Sequence, residues 1–102
     1  MLQEWANAVV RIETEKRRLE ILEYLLASPR YEAAATLLRL NCQRLGVPST
    51  MDQIVAALGW LQEQEMVTVR THADEIIARI TLSGREVADG SRTAPGVMRP
   101  DP

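Results

Sequence analysis

Apolar positions in the first third of the chain recur at spacings of three, four or seven: Trp5, Val9, Ile12, Leu19, Leu22 and Leu26. That is the period of a helix. No Gly or Pro interrupts Leu2 to Ala27, and Pro29 ends the run, with Ser28 before it biased out of the helical region. The second half, "RRLEILEYLLA", has enough Leu and Ile for a core helix; the first half, "LQEWANAVVRIE", carries one narrower stripe. A small domain uses about four turns of such a helix. Trp5, Val9 and Ile12 therefore lie on extra turns that need a cover of their own; the expected cover is a second copy of the chain, the alternative being a helix that lies along its own domain.

"EAAATLLRLNCQRLG" reads as a second helix with Ala34, Leu37, Leu38 and Leu45 on one face and Gly46 as the left-handed residue after it. Pro48 and Ser49 make a turn. Either Ser49 or Thr50 can cap the next helix, and Thr50 with Gln53 three positions on matches a capping box. Ile54, Leu58 and Leu61 then face the core, with Met51 and Val55 at its edges. Helix, short turn, helix is the helix-turn-helix pattern. "VTVRT" and "EIIARI" flank "HAD", which predicts a β-hairpin. Thr81 caps a short last helix, "LSGREVAD", closed by Gly90. "GSRTAPGVMRPDP" has too many prolines and glycines for helix or inner strand. The predicted class is mainly α with a small β-hairpin. Residues 1–15 extend the first helix, 16–90 form the domain and 91–102 an extended Pro-rich tail.

At this point the chain resembles a winged helix-turn-helix protein. "ALGWLQEQEMVTV" is similar to the "xLxxLexxGLV" signature at which the recognition helix ends and the wing begins, and "ITLSGREVADG" is similar to the "LTxxGxxvA" segment after the wing. "SGREVADG" followed by "APGVMRP" resembles the end of small ArsR-like regulators of Mu-like phages and prophages. Glu65 stands where the signature has Gly. That position often needs a positive φ, which costs another residue about 1 kcal/mol, so this helix is expected to end differently. The resemblance implies a DNA-binding transcriptional regulator.

Composition narrows the field. The formal net charge is -2, which argues against a protein held to nucleic acid by bulk charge. Aromatic residues are 4% and Phe is absent, so the core is expected to be aliphatic. Cys42 is the only cysteine, which rules out an intrachain disulfide and fits a reduced, cytoplasmic setting. No apolar run reaches the roughly 20 residues of a membrane span, and no membrane partner is expected. With one Cys and one His, Cys42 and His72, on different elements, a soft-metal site within one chain is not expected, nor any cofactor. Cys42 reads as a small buried hydrophobe and His72 as a solvent-facing turn residue. There is no Gly-rich phosphate loop, nucleophile elbow or His-Glu metal motif. Asp74 and Glu75 fall in a turn, where acids are common for local reasons. An enzyme is not expected.

Two partners remain, double-stranded DNA or another protein. From Ser49 to Met66 there is no Lys or Arg, while Asp52, Glu63 and Glu65 give a net charge of -3. On the outward face, Gln53 can pair with adenine and Ala56 can touch a thymine methyl. Ser49 and Thr50 can bond phosphate at the helix N-terminus. Trp60 borders this face, as a lid on the core edge or an interface anchor. Positive charge lies on the flanks: Arg30, Arg39 and Arg44 before the helix, Arg70 and Arg79 on the hairpin. The leading expectation is a phage-type regulator that binds DNA as a homodimer through these residues, with Trp5, Val9 and Ile12 between the chains. The alternative is a winged-helix module that binds another protein.

Overall fold

The computed structural model describes residues 1–101. Helix α1 (Leu2–Ala27) is followed by a single 3-10 turn (Pro29–Tyr31), strand β1 (Glu32–Ala34), α2 (Ala35–Arg44) and α3 (Met51–Glu63). Strands β2 (Val67–His72) and β3 (Glu75–Ile80) and the short α4 (Leu82–Asp89) complete the domain. The chain is mainly α with a small antiparallel sheet, an order of elements compatible with a winged helix-turn-helix. The sheet has three strands in the order β1-β3-β2. The expected hairpin is present, turning through Ala73 and Asp74 with both φ positive (50 and 67), the geometry of a tight two-residue turn.

The third strand corrects the reading of "EAAATLLRLNCQRLG". Glu32, Ala33 and Ala34 pair with Arg79, Ala78 and Ile77 of β3, so the helix starts only at Ala35. Its inward face is Ala35, Leu38, Asn41 and Cys42. Leu38 is in the core as expected. Leu37, one residue back and about 100° round the helix, is 47% exposed, and Leu45 is 37% exposed. Ala34 belongs to the strand.

Caps set the remaining boundaries. Thr50, not Ser49, caps α3: its hydroxyl accepts from Gln53 N at 3.1 Å and its own N donates to Gln53 Oε1 at 2.9 Å, the reciprocal box expected. Gly46 and Gly90 both take φ 86 after α2 and α4. Glu65 takes φ 62. The helix therefore ends as the winged-helix signature does, with Glu bearing the left-handed conformation that Gly would take freely; the expectation of a different ending is overturned. Thr81 locks this corner: its hydroxyl donates to Glu65 O at 2.7 Å and accepts from Gly84 N at 3.1 Å.

The core is aliphatic. Ile21, Leu22 and Leu25 of α1 meet Leu38 and Cys42 of α2, Ile54, Leu58 and Leu61 of α3, Val67 of β2 and Ala78 of β3. The tail joins it. Val97 is 7% exposed, Met98 N donates to Glu15 O at 3.3 Å, and Arg18 Nη1 donates to Gly96 O at 2.9 Å.

Candidate nucleic-acid interface

Helix α3 buries Ile54, Ala57, Leu58 and Leu61. The opposite side exposes Asp52, Ala56, Gly59 and Glu63, as the 3.6-residue period requires. Ala56 is a methyl group, and a Cβ placed on Gly59 would meet nothing within 4 Å. The middle of this face is thus small and open, with an acid at each end.

The residues singled out from sequence are dispersed. Thr50 and Gln53 are exposed at the start of α3, each engaged in the capping box. Ser49 is not on this face. It is 8% exposed, accepts from Arg17 Nε at 2.6 Å and donates to Val47 O at 2.8 Å. The turn is drawn inward at Val47 and Ser49, while Pro48 and Thr50 remain outside.

The flanking arginines divide into engaged and open. Arg70 pairs with Glu32 at 3.1 Å. Arg79 faces the same outer side of the sheet, in register with both Glu32 and Thr68. Arg44 Nη2 donates to Asn41 Oδ1 at 2.8 Å and lines a groove with Glu20, Glu23 and Tyr24. Burial, then Glu20 and Asp101 nearby, raise the pKa of Glu23. Arg39 is half-buried on α2. Arg30 is exposed in the connection after α1, with φ 59.

Two cations missed in the sequence stand beside α3. Arg17 and Arg18 of α1 line a cleft of about 190 Å³ with Thr14, Gln53, Ala56 and Ala57. The only sequence signal was the run Lys16-Arg17-Arg18, which looks like a solvated face on a helix. Arg17 is 6% exposed. The guanidinium of Arg18 stacks on Trp60, 3.8 Å from the ring centroid. Burial lowers its pKa, an effect opposed by Glu15 and reinforced by Arg17. Trp60 therefore seats Arg18 and the Gly96 turn of the tail.

The expected dimer stripe is open. Trp5 is 69% exposed and Ile12 50%, with Leu2 in line at 86%; Val9 between them is half-buried. His72 is exposed at the end of the hairpin, across from Glu75. Cys42 is buried, and burial pushes its thiol up to about 11. Among the described residues no group of three His, Cys, Asp or Glu is placed to hold a metal ion, and no helix is long and apolar enough to cross a membrane.

The chain is 34% identical over 91 residues to "Uncharacterized protein gp26" of Escherichia phage Mu, across 89% of this chain and 94% of the phage protein. It belongs to the family of that Mu protein. Its origin is Mu-like phage, in line with the resemblance carried by "SGREVADG" and "APGVMRP". The shared region spans nearly all of both proteins. No family profile matches the chain, and no solved structure matches it.

Proposed function

We propose that this chain is a sequence-specific DNA-binding transcriptional regulator of phage type that acts as a homodimer. The observation that carries the reading is the open strip of Ala56 and Gly59 on a capped, fully formed α3. Small residues at that place let a helix approach the floor of the major groove. Thr50, Gln53 and Ala56 are nearest the bases. Arg30, Arg39, Arg44, Arg70 and Arg79 hold phosphates, Arg70 after exchanging Glu32 for one. Ser49, being buried, takes no part.

Dimerisation runs through Trp5, Val9 and Ile12 and places two α3 helices on half-sites about one helical turn apart, or a multiple of it. Binding is tested with duplexes from around the protein's own gene at two salt concentrations. Arg44→Ala weakens binding to all sequences and flattens the salt dependence. Gln53→Ala relaxes preference at one base position, by roughly 1–3 kcal/mol. Replacing Trp5 and Ile12 together with Glu gives monomers in analytical ultracentrifugation; a double mutant that stays dimeric removes this helix as the main contact.

A second reading, a winged-helix module for a protein partner, draws on α2. Leu37 and Leu40 are 47% and 53% exposed and line a groove with Tyr24, while Asp52 and Glu63 would repel a phosphate backbone. A folded dimer that binds no duplex at low salt decides for this second reading.

A further inference from the structure

Arg17 carries a charge that the fold leaves unanswered. More than nine-tenths buried, it spends one of its five N–H groups on Ser49. Its Nη1 and Nη2 donate to no protein atom among the described residues, and no described carboxylate lies within ion-pair distance of it. Neither nitrogen is among the fully buried atoms that lack a partner, so both reach solvent, and a side chain buried to this depth with no anion at its head is poorly compensated. Its neighbour Arg18 gives Nη1 to Gly96 O, and its buried Nε has no acceptor. The two arginines repel each other across one cleft, and neither has a carboxylate within ion-pair distance.

The rest of the lining has the same polarity. The capping box holds Gln53 Oε1 on Thr50 N, which leaves the Nε2 donor of Gln53 as its free end. Thr14 has already given its hydroxyl proton to Val10 O. Ala56 and Ala57 supply methyl groups. No described carboxylate lies within ion-pair distance of either arginine, and Glu15 acts on Arg18 from further off. The cleft thus gathers two guanidinium groups and an amide donor and no carboxylate.

We propose that the cleft between α1 and α3 binds a phosphate group, held by Arg17, Arg18 and Gln53 Nε2. A tetrahedral oxyanion has acceptors enough for donors arriving from two planes, and guanidinium forks match phosphate oxygens in pairs. Arg18 is pre-positioned because Trp60 and Gly96 fix its plane; Arg17 is fixed by Ser49. The phosphate is a backbone diester or the phosphate of a free ligand. The proposal goes beyond the DNA reading, since the cleft binds phosphate whichever molecule carries it.

The test titrates inorganic pyrophosphate into the labelled full chain and follows the arginine Nε–H resonances. Those of Arg17 and Arg18 move together and saturate, and Tm rises. Because Arg17→Ala also removes the bond to Ser49, the deciding variant is Ala56→Glu, which puts a carboxylate at the rim of the cleft and deletes nothing. It weakens pyrophosphate binding by about tenfold or more, while Ala56→Gln leaves it nearly unchanged. A duplex-binding arm separates the sources. If pyrophosphate displaces duplex from the unsubstituted chain, the cleft holds a backbone phosphate; if duplex and pyrophosphate bind together, it holds a free phosphorylated ligand. Pyrophosphate binding with no duplex binding at all leaves the cleft standing and ends the DNA reading. Arginine resonances that stay still, or that move equally in Ala56→Glu, overturn the proposal.

Discussion

The guanidinium of Arg18 lies 3.8 Å from the centre of the Trp60 ring and donates to Gly96 O at 2.9 Å. One side chain of α1 thereby ties the flank of α3 to the C-terminal tail. Gly96 has φ 95, and a Cβ there would lie 2.6 Å from the Trp60 ring. Gly96→Ala therefore frees the tail. Stability is expected to fall by about 1–3 kcal/mol, and limited proteolysis to cut within residues 91–101 far faster than in the parent. Equal cutting rates would show that the tail is held elsewhere.

Gly84 sets the distance between α4 and the start of the wing. A Cβ on it would stand 2.2 Å from Met66 O and 2.7 Å from Ile80 Cγ1. The carbonyl also accepts from Thr81 N at 3.0 Å, so it has little room to retreat. Gly84→Ala is expected to cost about 3 kcal/mol and to lower Tm by more than about 10 °C. Thermal unfolding followed by circular dichroism checks it.

Glu65→Gly should act in the other direction. With φ 62, Glu65 is held in the left-handed region, and glycine relieves about 1 kcal/mol of that cost. Its side chain is exposed and its carbonyl, which Thr81 needs, is kept. Urea unfolding should show a higher midpoint with an unchanged slope.

Cys42 gives the fold a dependence on high pH. Burial raises its thiol from an ordinary value of 9.0 to about 11, with Arg17 pulling the other way. The folded state keeps the proton that the unfolded chain releases first. The contribution is complete below about pH 9 and is lost as pH rises towards about 11. Comparing Cys42→Ala with the parent across that window isolates it. The parent should lose on the order of 1–2 kcal/mol more. At neutral pH the thiol should resist a disulfide reagent until the protein unfolds.

What was legible in the sequence was what is local. The Thr50–Gln53 box, the left-handed glycines after α2 and α4 and the hairpin are each written within a few residues. Strand β1 was not, because Glu32-Ala33-Ala34 has no alternation of its own and becomes a strand only when β3 is alongside. Arg17 and Arg18 were missed for the same kind of reason. Their spacing places them on a helix, but only α3 and the tail, distant in sequence, bury and orient them. Ser49 and Thr50 could each cap α3, and only Thr50 had a Gln three positions on to complete a box. The geometry of the turn chose between them, sending one hydroxyl to Arg17 and the other to the helix.

Helix α1 runs from Leu2 to Ala27 without a break, so the segment bearing Trp5 and Ile12 and the segment packed in the core share one rigid rod. In the proposed dimer that rod acts as a gear. Each residue inserted between Ile12 and Arg17 turns the domain by about 100° about the seam and moves it about 1.5 Å. One insertion would swing α3 away from its half-site. Seven, close to two full turns, would bring it back to nearly the same bearing about 10 Å further out.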